Sequence, residues 1–157
     1  MNKILIAFFY ILSFSSLKAQ NSNAVIAFET KVIDDGSAYY AMLADKSIWY
    51  ARSGEAWAKS STTGLPSTEV FKFRVSIISG ASAYYAMLAD KSIWYARSGE
   101  AWAKSSTTGL PEIDVKEFNV ITLEGGSAYY VLLADNSIWY ARSGEAWAKS
   151  STAGLPK

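Results

Sequence analysis

The amino-acid sequence predicts an all-β protein built from three tandem copies of one 45-residue unit. The main observation is a 30-residue segment, Ser37–Pro66, which recurs unchanged as Ser82–Pro111. It recurs once more as Ser127–Pro156 with four differences, which are Val131, Leu132, Asn136 and Ala153. Because repeats of about 20 to 50 residues usually form one supersecondary unit each, we expect three similar structural units.

Patterns typical of β-strands fill each unit. Val70–Ile78 alternates apolar and polar residues, which predicts a strand with one exposed face. Ala38–Ala44 and most of Ile48–Ala51 are apolar on both sides, which predicts strands that are covered on both faces. A further strand is predicted over Ala56–Ser60. Each unit should therefore contain four short strands, and no helix is expected after the first 19 residues.

Turn-forming residues separate the predicted strands. The sequence Asp45–Ser47 favours a tight turn, and Gly54 can adopt the positive φ that many turns require. Thr63–Pro66 interrupts the strand pattern before the next unit begins. The first strand of each unit lies in a segment that varies between units, namely Ala24–Asp35, Val70–Gly80 and Val115–Gly125. The three repeats therefore span about residues 24–69, 70–114 and 115–157.

Two architectures are compatible with three such units. In a β-propeller each unit is a four-stranded, blade-like sheet between two neighbours, which suits the strands that are apolar on both sides. The alternative is a β-trefoil, which the count of three favours because propellers usually have about 4 to 8 blades. We favour propeller-type blades. Three blades do not close a ring, so this interpretation predicts a homodimer in which two chains complete a six-bladed ring.

The first 19 residues predict a cleaved signal peptide. Lys3 precedes the apolar run Ile4–Leu12, and the following Ser13–Ala19 is smaller and more polar, as in secretory signals. The apolar run is shorter than the roughly 20 residues that a membrane-spanning helix needs. No cysteine follows it to carry a lipid anchor. We therefore expect a secreted or periplasmic protein, residues 20–157, without a membrane span.

The composition excludes several classes of function. The chain has no cysteine and no histidine, which rules out thiolate and histidine catalysis and metal sites that need those ligands. Without residues 1–19 it carries 13 basic and 14 acidic residues, a net charge of −1 that argues against nucleic acid as a partner. Three nearly identical copies also differ from the single asymmetric site of most enzymes. We expect no catalytic residue, no cofactor and no metal.

The candidate ligand-binding residues form an aromatic, basic and acidic group that each unit repeats. Sugar rings stack on aromatic planes, and sugar hydroxyls need partners such as the donor fork of arginine and the carboxylate of glutamate. The predicted site residues are Trp49, Arg52, Glu55, Trp57, Trp94, Arg97, Glu100, Trp102, Trp139, Arg142, Glu145 and Trp147. The alternative is that these tryptophans fill the core and that the arginine and glutamate form an ion pair across a turn.

The segment Ala44–Trp57 resembles the blades of tectonin-type propellers and of bacterial propeller lectins. It shares with them an apolar strand, a short Asp or Asn turn, an aliphatic–aromatic pair, and a glycine turn followed by tryptophan. The resemblance implies sugar binding or surface recognition. Together with the repeated site residues, it predicts a secreted, multivalent, lectin-like protein with one carbohydrate site in each repeat. The alternative is a repeat module that binds a protein or a cell surface without sugar.

Overall fold

The computed structural model describes residues 21–34 and 36–151, and the predicted signal peptide, residues 1–19, lies outside them. Within that part of the chain the all-β prediction is confirmed, because twelve strands form three similar four-stranded antiparallel sheets. Each sheet is made by one sequence repeat. In every sheet the strands follow the order of the chain, so each strand pairs with the next one.

The strand bounds of the three sheets are equivalent, at a spacing of 45 residues. The first sheet comprises β1 (Val25–Ile33), β2 (Gly36–Leu43), β3 (Ile48–Arg52) and β4 (Ala58–Lys59). The second comprises β5 (Val70–Ile78), β6 (Ala81–Leu88), β7 (Ile93–Arg97) and β8 (Ala103–Lys104). The third comprises β9 (Val115–Leu123), β10 (Gly126–Leu133), β11 (Ile138–Arg142) and β12 (Ala148–Lys149).

The outer strand of each sheet is shorter than the sequence pattern predicts. The pattern predicts a strand over Ala56–Ser60, but only Ala58–Lys59 pairs with β3. The chain leaves the sheet soon afterwards, although the backbone N–H of Ser60 still donates to the carbonyl of Ile48 at 2.8 Å. The residues on either side of this short strand are therefore free to form loops that reach other repeats.

Two turns shape each repeat. Between β2 and β3, Lys46 adopts a φ of 65° and its N–H donates to the carbonyl of Leu43 at 2.8 Å. Asp45 stabilises this turn, because its Oδ1 accepts hydrogen bonds from the N–H of Ser47 at 2.9 Å and from the Ser47 hydroxyl at 2.6 Å. After β3, Gly54 adopts a φ of 84°. A side chain there would be strained, which explains the glycine.

Consecutive sheets pack face to face. In the first core cluster, Tyr40 and Met42 of the first sheet contact the layer formed by Phe73, Tyr84 and Trp102 of the second. We call the side of a sheet that faces the preceding repeat its leading face, and the opposite side its trailing face. Tyr40 and Met42 thus lie on a trailing face, and the other three residues lie on a leading face.

The second core cluster repeats this arrangement one unit further along the chain. Here the trailing face of the second sheet packs on the leading face of the third. The equivalent residues are Tyr85, Met87, Phe118, Tyr129 and Trp147. In the middle sheet β6 is therefore covered on both faces, as the sequence predicts. The prediction is wrong for β7, because Tyr95 on its trailing face is 43% exposed. Burial of these faces is the main stabilising contribution to the fold.

The first strands of the three sheets lie side by side, with β5 between β1 and β9. Glu29 Oε1 lies 2.6 Å from Arg74 Nη1, and Arg74 also pairs with Glu117. Lys72 Nζ lies 3.1 Å from Glu117 Oε2. Equivalent positions on these neighbouring strands carry opposite charges, which gives a physical reason for the variation of this segment between repeats.

None of the described residues belongs to a helix of the length and apolarity needed to cross a bilayer. The described residues likewise contain no group of three or more acidic side chains arranged to hold a metal ion.

Candidate functional site

Two clefts open between neighbouring sheets. The first cleft, about 550 Å³, lies between the first and second sheets, and the second cleft, about 600 Å³, lies between the second and third. Both volumes are typical of small-molecule sites. The same types of polar and aromatic residue line both clefts. These residues are Tyr40, Tyr50, Arg52, Ser82 and Ser98 in the first cleft, and Tyr85, Tyr95, Arg97, Ser127 and Ser143 in the second.

In each cleft, two of the lining residues form a hydrogen bond that joins the two sheets. The hydroxyl oxygens of Tyr40 and Ser82 lie 2.8 Å apart, and those of Tyr85 and Ser127 lie 2.6 Å apart. Burial raises the pKa of the Tyr40 hydroxyl above its ordinary value, although the hydrogen bond to Ser82 opposes this effect. The first-cleft hydroxyl therefore stays neutral over the physiological pH range. Each hydroxyl pair joins two neighbouring sheets within the lining of its cleft.

An exposed tyrosine and an arginine line the wall of each cleft. Successive side chains of a strand point to opposite faces, so Tyr50 and Arg52 share the trailing face of β3. Trp49 lies between them in sequence and points to the leading face, where it pairs with Ala41. Tyr50 is therefore the aromatic residue that accompanies Arg52, and the same relation holds for Tyr95 and Arg97.

The second cleft contains a polar group that the first lacks. The hydroxyl of Thr122 is buried and has no hydrogen-bond partner among the described residues. The equivalent position in the first cleft is occupied by Ile77. An unpaired buried hydroxyl is costly, and a bound ligand or water that donates to it or accepts from it would relieve that cost. Glu100, a predicted site residue, also lines the second cleft.

The first predicted tryptophan of each repeat forms a hydrogen bond with the turn that precedes it. Trp49 Nε1 donates to the Ser47 hydroxyl oxygen at 3.1 Å, and that hydroxyl donates to Asp45. The same chain of hydrogen bonds holds Trp94 and Trp139 in the other repeats. Hydrogen bonding lowers the pKa of the Asp45 carboxyl, as it does for the equivalent carboxyls. Trp49 and its equivalents are partly buried and do not line the two clefts.

The second predicted tryptophan has a different environment in each repeat. Trp102 and Trp147 are buried, with exposures of 6% and 7%, whereas Trp57 is 46% exposed. The backbone N–H of Trp102 donates to the carbonyl of Thr63 in the preceding repeat at 2.9 Å. Trp147 makes the same bond to Thr108. Trp57 belongs to the first repeat, so no preceding repeat covers it within the described residues.

The predicted glutamates lie in the exposed turns that follow β3, β7 and β11, and the third arginine, Arg142, is the exposed last residue of β11. Glu55 is exposed and does not line the first cleft, whereas its equivalent Glu100 lines the second. Arg142 and Glu145 line a smaller pocket of about 200 Å³ beside the hairpin that joins β9 and β10. Arg97 and Glu100 therefore line one cleft, and Arg142 and Glu145 line the smaller pocket, but no tryptophan lines either of them. A ligand role for the tryptophans stays a prediction.

Sequence reasoning missed several lining residues. Tyr50 and Tyr95 lie two residues before Arg52 and Arg97, so the alternation of side chains along a strand predicts that each tyrosine shares a face with its arginine. Ser82 and Ser127 come from the following repeat, and only the packing of two sheets shows their place. Thr122 lies in a variable segment, and no sequence pattern marks it.

Comparison with known proteins adds no assignment. No family model, no curated protein and no solved structure matches the chain.

Proposed function

We propose that this chain is a secreted, multivalent, non-enzymatic carbohydrate-binding protein whose sites are the clefts between sheets. One observation carries the proposal: the same set of an exposed tyrosine, an arginine and two serines lines both clefts. Tyrosine rings offer a surface for the C–H faces of a sugar. Arginine and serine offer donors and acceptors for its hydroxyls.

The tyrosine, arginine and serine set that the two clefts share supports multivalent binding. Weak sites that act together on a surface gain avidity without new contacts. Both clefts open at the same end of their sheets, beside the Ser-Gly turns that follow β3 and β7. A surface that presents many copies of one sugar would therefore suit this chain better than a single free molecule.

The proposed architecture is a set of propeller-type blades rather than a β-trefoil. Support comes from the face-to-face packing of consecutive sheets and from the side-by-side placement of β1, β5 and β9. This arrangement is typical of blades around an axis. The resemblance of Ala44–Trp57 to propeller lectins agrees with both the proposed blades and the proposed ligand.

A glycan array tests the proposal. The chain without residues 1–19 should bind a subset of glycans, and Tyr50→Ala combined with Tyr95→Ala should abolish binding while the protein stays folded. Lys59→Ala combined with Lys104→Ala is the matched control, because both lysines are exposed on outer strands away from the clefts. Folded protein that binds no glycan on the array would overturn the proposal.

A second candidate is a module that binds another protein or a cell surface without sugar. The observation that favours it is the exposed apolar surface of the first sheet, which includes Phe28 and Val32. Exposed apolar patches often mark interaction sites. A partner protein that stays bound in excess free sugar would favour this candidate over the first.

A further inference from the structure

Within residues 21–34 and 36–151, the first and third sheets each have one outward face whose equivalents are buried between sheets. Phe28 on the leading face of the first sheet is 57% exposed, whereas its equivalents Phe73 and Phe118 are 1% and 0% exposed. Trp57 on the same side is also exposed, whereas its equivalents Trp102 and Trp147 are buried. This face therefore has the composition of an interior surface but lies open.

Side chains on the trailing face of the third sheet are also more exposed than their equivalents in the other two sheets. Tyr130, Leu132 and Ile138 are partly exposed there. Their equivalents in the first sheet are fully covered by the second, and those in the second are covered by the third. The only residue-type change among the three is leucine for methionine at position 132, a swap of similar volume and polarity.

The contacts that join these two kinds of face are made twice inside the chain. Tyr40 and Tyr84 meet edge to face at 6.2 Å between ring centroids, and Tyr85 and Tyr129 repeat this at 6.3 Å. Tyr130 and Tyr39 hold the equivalent positions on the two free faces, where each stacks on a ring of its own sheet and, among the described residues, on no ring of another repeat. Because both internal interfaces use this tyrosine contact, a third interface between the free faces can use it again.

We propose that the first sheet of one chain docks on the third sheet of a second copy, and that two chains close head to tail in this way. Such an interface is heterologous, since different faces meet, and two copies of it join the pair. This third interface would continue the series of the two interfaces between consecutive sheets. A partner of different sequence would need to reproduce a surface that this chain already carries.

The association also has a consequence for the binding sites, which rests on the proposed function. Tyr140 and Arg142 occupy the positions of the cleft residues Tyr95 and Arg97. The following repeat, which supplies the serines of a cleft, is missing after the third sheet among the described residues. Ser37 of the partner subunit stands at the position of Ser82 and Ser127. Docking would therefore complete a third cleft in each chain.

Light scattering after gel filtration tests the association directly. The chain without residues 1–19 should have twice the chain mass at micromolar concentration. Phe28→Asp and Leu132→Asp each place a charge on one of the free faces, and each variant alone should run as a monomer. Ala103→Asp is the matched control, because it adds the same charge at an exposed position of the middle sheet and should leave the mass doubled.

Mixing the two variants distinguishes head-to-tail docking from other pairings. Phe28→Asp keeps an intact third-sheet face, and Leu132→Asp keeps an intact first-sheet face, so the mixture should regain the doubled mass at higher concentration. A monomeric wild type, or a Leu132→Asp variant that stays dimeric, would overturn the proposal. Circular dichroism that matches the wild type should confirm that each variant is folded.

Fluorescence quenching gives a second test of the association, and glycan binding by the same samples distinguishes the association from the proposed function. Quenching of Trp57 fluorescence by acrylamide should weaken as the concentration rises, and the effect should vanish in Trp57→Phe. A dimer by mass that binds no glycan supports the association and contradicts the sugar proposal. A monomer that binds glycan at two sites per chain contradicts the association and leaves the sugar proposal standing.

Discussion

The hydroxyl oxygens of Tyr85 and Ser127 lie 2.6 Å apart and join the second sheet to the third at the floor of a cleft. Tyr85 is buried, and Ser127 sits at the start of the next repeat's second strand. One contact therefore serves both packing and site geometry.

Removal of this hydroxyl should weaken the fold modestly. Tyr85→Phe should lower the free energy of unfolding by about 1 kcal/mol, because it deletes one hydrogen bond and leaves Ser127 without that partner. Urea denaturation measures the change. Tyr130→Phe, the same position without a following sheet, is the control at concentrations where the chain is monomeric. Equal losses in both variants would contradict the assigned role of the contact.

The two tryptophans Trp57 and Trp102 occupy the same position of their repeats but should tolerate substitution differently. Trp102→Ala should lower the free energy of unfolding by about 3–5 kcal/mol, since it empties a buried site. Trp57→Ala should cost less than about 1 kcal/mol in the monomer. Thermal unfolding of both variants checks this contrast. Similar losses would mean that Trp57 is covered in the monomer.

The unpaired hydroxyl of Thr122 offers a test that separates stability from binding. Thr122→Val keeps the shape of the side chain and removes a buried polar group without a partner, so the free energy of unfolding should rise by about 1 kcal/mol. Affinity at the second cleft should fall if a ligand bonds to this hydroxyl. Ile77→Val is the matched control in the first cleft. A loss of stability in Thr122→Val would show that the hydroxyl has a partner.

The turn aspartates should make stability depend on acid pH. Hydrogen bonds from serine lower the pKa of Asp45, Asp90 and Asp135 in the folded protein. A depressed folded-state pKa stabilises the fold above the ordinary pKa of about 3.9, and this contribution disappears as the pH falls through the lower folded value.

The triple variant Asp45→Asn, Asp90→Asn and Asp135→Asn should flatten this dependence. Its melting temperature should change less than that of the wild type between about pH 5 and pH 2, the range in which carboxyls titrate. Differential scanning calorimetry across that range provides the measurement. Parallel profiles for the two proteins would show that the turn carboxyls are not responsible.

Strand periodicity and turn residues predicted much of the fold. The repeat of Ser37–Pro66 set the number of sheets, and the doubly apolar Ala38–Ala44 predicted a strand covered on both faces. The outer strand was predicted too long, because only Ala58–Lys59 has a backbone partner in β3. Local sequence does not show where pairing ends.

The candidate site was less predictable, for two physical reasons. Trp57, Trp102 and Trp147 lie in identical local sequences, yet their burial differs because a neighbouring repeat covers only two of them. Burial by another sheet is not encoded in the segment itself. The clefts also combine residues from two repeats, such as Tyr95 and Ser127, so no single motif describes them.

A crystal structure of the protein with the glycan that binds best would show whether sugar binds between the sheets. We expect the sugar to lie in the second cleft, with a ring against Tyr95 and hydroxyls bonded to Arg97 and Ser127. A sugar on the exposed Trp57, or at any place outside the clefts between sheets, would contradict this expectation.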